Sequence, residues 1–118
     1  MKKILIIDDD HDLLFGLTAL LTNKGYNIMT LSEAQEACDA AVHFHPDVIL
    51  LDLHLKDGDG RQICRELKSN NKTKSVPILM ISSDVELSKI VEDCPVDALM
   101  EKPLTLISLY NKLESLTV

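Results

Sequence analysis

Val48, Ile49, Leu50 and Leu51 form an unbroken apolar run that stops at one carboxylate, Asp52, and is followed by Gly58 and Gly60. A short, partly β-branched run of this kind predicts a strand buried on both faces, as in the interior of a parallel sheet. The two glycines predict a turn in which unusual φ angles are cheap, so the chain reverses into a helix just after the acid. Asp52 is thereby placed at the carboxyl end of a central strand, where open α/β sheets bind their ligands.

The rest of the chain repeats the pattern. Lys3 to Ile7 reads as a first strand that also ends in acids, Asp8-Asp9-Asp10. Leu13, Leu14, Leu17, Leu20 and Leu21 recur at helical spacing, and Gly25 closes that helix. Asn27 to Leu31 is a second strand. Ser32 and Gln35 have capping-box spacing and open a helix that runs to about His43. After the Val48 strand, Ile63, Cys64 and Leu67 mark the inner face of a third helix. Pro77 to Ile81 is a fourth strand, Val85 to Glu92 a short fourth helix, and Val96 to Met100 a fifth strand leading to Lys102-Pro103. Thr105 caps a last helix with the stripe Leu106, Leu109, Tyr110, Leu113 and Leu116.

Alternating strands and helices with short loops require right-handed crossovers and a parallel sheet covered on both faces. The predicted fold class is α/β, a doubly wound five-stranded parallel sheet of order 2-1-3-4-5, flavodoxin-like, over a single domain, residues 1–118. The switch point of that order lies between the first and third strands, the two that end in Asp8-Asp9 and Asp52.

Charge and cysteine usage narrow the function. A formal charge of −7, with no Lys/Arg cluster, disfavours direct nucleic-acid contact and points to protein partners. Cys38, Cys64 and Cys94 are odd in number and lack C-x-x-C spacing, against a disulfide framework or a zinc site, and read as buried thiols. Without an apolar run long enough for a bilayer, or a leader-like start, the expectation is a cytoplasmic chain with no membrane partner. No G-x-x-x-x-G-K-[ST] run is present, which excludes P-loop nucleotide hydrolysis.

Three converging carboxylates repel one another, and a divalent metal resolves that repulsion. An all-oxygen set formed by Asp8, Asp9 and Asp52 favours Mg²⁺. Strand four delivers the Ser82 hydroxyl to the same rim and strand five the Lys102 ammonium. A metal, a hydroxyl and a lysine aimed at one carboxylate describe a phosphoryl-transfer site with Asp52 as nucleophile.

Ile6 to Asp10, Leu50 to Asp52, Leu55 to Gly60, Pro77 to Ser83 and Lys102-Pro103 together resemble the receiver domain of two-component response regulators over essentially the whole chain. The resemblance implies that Asp52 accepts phosphate from a histidine kinase or phosphotransfer protein. By the same resemblance Asp9 binds Mg²⁺ directly, Asp8 acts through water and the backbone carbonyl of His54 completes the protein ligands. It makes Ser82 the switch hydroxyl, gives Lys102 the phosphoryl contact and implies a cis Lys102-Pro103 peptide. His54 and Asp84 are implied to flank the water that hydrolyses the acyl phosphate. A downstream protein is implied on the face of the fourth helix, fifth strand and last helix, with a homodimer as a further possibility of the family.

The chain departs from the family pattern at three places. Leu99 stands where an aromatic ring is usual, Lys56 where proline is common, and Pro95-Val96 where Gly-Ala is usual. Two other functions compete with the phosphoacceptor switch: a degenerate receiver that only binds proteins, or the receiver fragment of a longer regulator. A haloacid-dehalogenase-like phosphatase is more distant, because it needs a second Asp where His54 stands.

Overall fold

A computed structural model describes residues 1–83 and 94–117. The elements are β1 (Lys3–Ile7), α1 (His11–Asn23), β2 (Asn27–Leu31), α2 (Ala37–Phe44), β3 (Val48–Asp52), β4 (His54–Leu55), β5 (Gly58–Asp59), α3 (Gly60–Ser69), β6 (Ile78–Ser82), β7 (Ala98–Glu101) and α4 (Leu106–Leu116). The fourth helix expected over Val85 to Glu92, and Asp84, lie outside the described residues.

The principal sheet has the order β2-β1-β3-β6-β7, and every pairing in it is parallel. Once the small antiparallel hairpin β4–β5 is set aside, this is the expected 2-1-3-4-5 order. The strands sort their side chains by alternation. Leu5, Ile7, Ile49, Leu51, Ile78 and Met80 face Ala37, Ala41, Ile63, Cys64 and Leu67 of α2 and α3. Ile4, Ile6, Val48, Leu50, Leu79 and Ile81 face Leu14, Leu17, Leu21, Leu109 and Leu113 of α1 and α4. Both faces of the central strands are therefore buried, which is why those strands read as continuous apolar runs. Each fully buried Leu or Ile contributes about 1.5–3 kcal/mol of transfer free energy.

Several local expectations need correction. Helix α2 begins at Ala37 after Glu36, which makes no side-chain cap bond, so Ser32 and Gln35 do not form the capping box. The Ala34 N–H is held instead by the Asp57 carboxylate, at 2.9 and 3.0 Å from its two oxygens. Strand β7 starts at Ala98 rather than Val96, because the Val96 N–H turns back onto the Cys94 carbonyl at 2.9 Å. Strand β6 is shifted by one residue, to Ile78–Ser82. Leu20 is exposed rather than part of the α1 stripe.

Gly25 closes α1 as expected, whereas Gly58 and Gly60 do not take the unusual φ expected of them. Gly25, beyond α1, is the only glycine of the described residues with positive φ, at 97°. Gly60 is required for close approach instead: a Cβ there would overlap the Asp52 carbonyl oxygen and lie 2.9 Å from Leu53 Cα.

Candidate functional site

The sheet ends its strands at one rim, and Asp8, Asp9, Asp52 and Lys102 meet there. Asp8 follows β1 and is 2% exposed; Asp52 ends β3 and is 7% exposed. Asp9 is half-buried, and oxygens of Asp8, Asp9 and Asp52 all lie within 4.8 Å of one another, a group that could hold a metal ion. Asp10 stands apart from this cluster as the N-cap of α1, its carboxylate accepting from the Leu13 N–H at 3.1 Å.

Lys102 reaches in from the end of β7. Its Nζ is 3.1 Å from Asp8 Oδ2 and 3.6 Å from Asp52 Oδ2. The Lys102 N–H donates to the Ser82 carbonyl at 2.8 Å, which registers β7 against β6 at the site. Ser82 is fully buried at the end of β6, one residue beyond Ile81, the partner of Asp52 in the sheet. The peptide between Lys102 and Pro103 is cis, as the resemblance implies.

The charges do not balance. Burial, then the neighbouring Asp8 carboxylate, raise the Asp52 pKa, and Asp9 adds to the effect. Lys102 and the His54 N–H, which donates to Asp52, offset this only in part. Burial disfavours the charge on Lys102, but its hydrogen bond to Asp8 and the field of Asp52 outweigh burial and raise its pKa. A buried acid with a raised pKa among other carboxylate oxygens is a donor set that fits a hard dication, and Mg²⁺ in particular.

His54 sits in β4 beside this cluster, with its N–H committed to Asp52; a ligand role for its carbonyl rests on the resemblance alone. Leu99, in β7, pairs with Met80 and packs against the α2/α3 side of the core.

Two contacts at the rim have no counterpart in the sequence reading. The Lys56 N–H donates to Asp9 Oδ2 at 2.7 Å, and Asp57 holds the Ala34 N–H. Both join the turn of the β4–β5 hairpin to neighbouring loops. Neither could be read from side-chain patterns, because each depends on a backbone donor distant in sequence.

A family model described as "Response regulator receiver domain" matches residues 4–114. The alkaline phosphatase synthesis transcriptional regulatory protein PhoP of Bacillus subtilis is 34% identical over 106 residues, 88% of this chain and 43% of that protein. Response regulator MprA of Mycolicibacterium vanbaalenii is 29% identical over 97% of this chain and 49% of that protein. The chain thus spans about half the length of these curated relatives. Among solved structures, a two-component response regulator from Clostridium difficile superposes with a TM-score of 0.88 at 31% identity, covering 98% of this chain and 95% of that one. Vibrio cholerae chemotaxis protein CheY4 gives a TM-score of 0.91 at 23% identity over 98% of each chain, a likeness of fold.

Proposed function

The chain belongs to the response regulator receiver domain family, and from that premise we propose that it is a phosphoacceptor switch in two-component signalling. The observation that carries the proposal is the meeting of Asp8, Asp9, Asp52 and Lys102 at one end of the sheet. The donor is a phosphohistidine of a histidine kinase or phosphotransfer protein. An Asp52 oxygen attacks phosphorus in line, an O–P bond forms, the P–N bond breaks, and the imidazole nitrogen keeps the electron pair.

Mg²⁺ would be held by Asp8, Asp9, Asp52 and the His54 carbonyl, and when bound it supplies charge neutralisation for the phosphoryl oxygens. Lys102 already bridges toward Asp52 with a flexible ammonium, so it can turn to a phosphoryl oxygen without backbone movement. The acyl phosphate adds nearly two negative charges and three strong acceptors. Ser82 and Lys102 answer that charge with new hydrogen bonds, which shifts a pre-existing equilibrium. Leu99 leaves this switch without an aromatic ring, so the response runs through Ser82 and Lys102. A degenerate receiver would lack one of Asp9, Asp52 or Lys102, and here all are present at the rim. We place the downstream protein on the face that includes β7 and α4, and count a homodimer as a further form. We place this work in the cytoplasm; among the described residues no helix is long and apolar enough to cross a membrane.

The test is incubation with a small phosphodonor and Mg²⁺, followed by mapping of acid-stable, base-labile phosphate by mass spectrometry. Label confined to Asp52 is the expected result. Mg²⁺-dependent label retained in Asp52→Asn would overturn the assignment.

A further inference from the structure

We propose that the Lys56 N–H is a built-in competitor for the cation at Asp9, so that metal occupancy is coupled to the position of the β4–β5 hairpin tip. This coupling presupposes a divalent cation at the acid cluster, as proposed above. The Lys56 N–H donates to Asp9 Oδ2 at 2.7 Å, a short bond between an amide and a carboxylate. The oxygen has a second lone pair, so the competition is for its charge and its position rather than for a single acceptor site. A cation that draws Asp9 Oδ2 toward Asp8 and Asp52 takes charge from the oxygen and pulls it off the amide, so each partner weakens the other.

The surroundings determine what moves when the amide is released. The hairpin is fixed at its base, where the Gly60 N–H donates to the Leu53 carbonyl at 2.7 Å and Gly60 packs on the Asp52 backbone. Its tip, Lys56 and Asp57, is exposed and is held by the bonds to Asp9 and Ala34. A polar depression of about 360 Å³, lined in part by Asp9, Ser32, Glu33, Lys56 and Asp57, lies beside the tip and leaves it room to shift. Asp57 grips the Ala34 N–H with both carboxylate oxygens, so movement of the tip is carried into the connection between β2 and α2. Occupancy of the acid cluster is thereby reported on the α2 side of the molecule, away from the Ser82 and Lys102 rim.

The experiment is a Mg²⁺ titration of the unphosphorylated chain, followed by calorimetry and by amide NMR. In the wild type the Lys56 amide should lose its hydrogen-bonded shift and its exchange protection as Mg²⁺ binds, with the Ala34 amide moving in step. Proline has no N–H, so Lys56→Pro removes the competitor, whereas Lys56→Ala keeps the N–H and calibrates loss of the ammonium. Relative to Lys56→Ala, Lys56→Pro should bind Mg²⁺ about tenfold tighter, the size of one lost charge-assisted hydrogen bond. Equal or weaker binding by the proline variant would overturn the coupling. So would a wild-type Lys56 amide that stays still while residues 8, 9 and 52 titrate, a reading that does not need the proline variant to fold. If no amide of the acid cluster responds to Mg²⁺, the cation site itself fails, and the coupling with it.

Discussion

Two aspartates, one just before the small hairpin and one ending it, have opposite electrostatics. Asp52, before it, has its pKa raised by burial and by Asp8. Asp59, its last residue, is pushed upward by partial burial, yet the Arg61 side chain and N–H outweigh burial and hold its carboxyl below the ordinary range. Asp59 is the N-cap of α3, accepting from the Arg61 N–H at 2.9 Å and pairing with the guanidinium at 3.0 Å. Asp59 is neutralised by its own helix and serves structure. Asp52 is left short of positive charge, which suits the proposed meeting with a cation and a phosphoryl group. Nearness to the hairpin does not distinguish them; the completeness of their local compensation does.

The sharpest test of this contrast is phosphate acceptance. Asp52→Asn should abolish labelling by a small phosphodonor, whereas Asp59→Asn should retain it; equal loss, read by intact mass, would erase the distinction. Gly60→Ala, at the first residue of α3, forces a Cβ into the Asp52 backbone and should cost about 3 kcal/mol in urea denaturation. Lys102→Ala removes the ammonium paired with Asp8 and close to Asp52, and should cost about 2 kcal/mol in the presence of chelator, partly restored by Mg²⁺. Labelling of that variant should persist while its conformational response, followed by amide NMR, is lost.

The smallest effects lie in the pH dependence of stability. Asp59, with a depressed folded pKa, adds stability above its unfolded value near 4 and loses it as pH falls through the folded pKa. Asp59→Ala should therefore cost about 1 kcal/mol at neutral pH, a typical N-cap loss, and less in strong acid. Asp52, with a raised folded pKa, imposes a cost that is complete above that pKa and is relieved as pH falls toward its unfolded value. In chelator, Asp52→Asn should be more stable than wild type by about 1 kcal/mol at pH 7, a gain that fades by about pH 4. Thermal melts across that range check both signs.

The parts of the fold that could be read in advance are those set by local pattern. The bounds of β1, β2 and β3 followed from apolar runs ending in acids or turns, and Thr105 was recognisable as a cap because its hydroxyl serves the nearby Ser108 N–H. What was missed depends on distant partners. Ser32 and Gln35 carry a sound helix-start signal, but Asp57 takes the Ala34 N–H from across the molecule, and α2 begins later. The hairpin strands are two residues each, too short for any period to register. At the rim, the meeting of Asp8, Asp9, Asp52 and Lys102 was foreseeable because strand ends and a known strand order bring them together. Lys56 was foreseeable only as a departure, since its contribution is a backbone amide shared by every residue but proline.

Gly60 leaves no slack between Asp52 and α3. With the first residue of the helix seated on the Asp52 peptide, neither can shift without carrying the other. That seam behaves as an anvil: whatever the Asp52 side chain meets, its strand end cannot back away into α3.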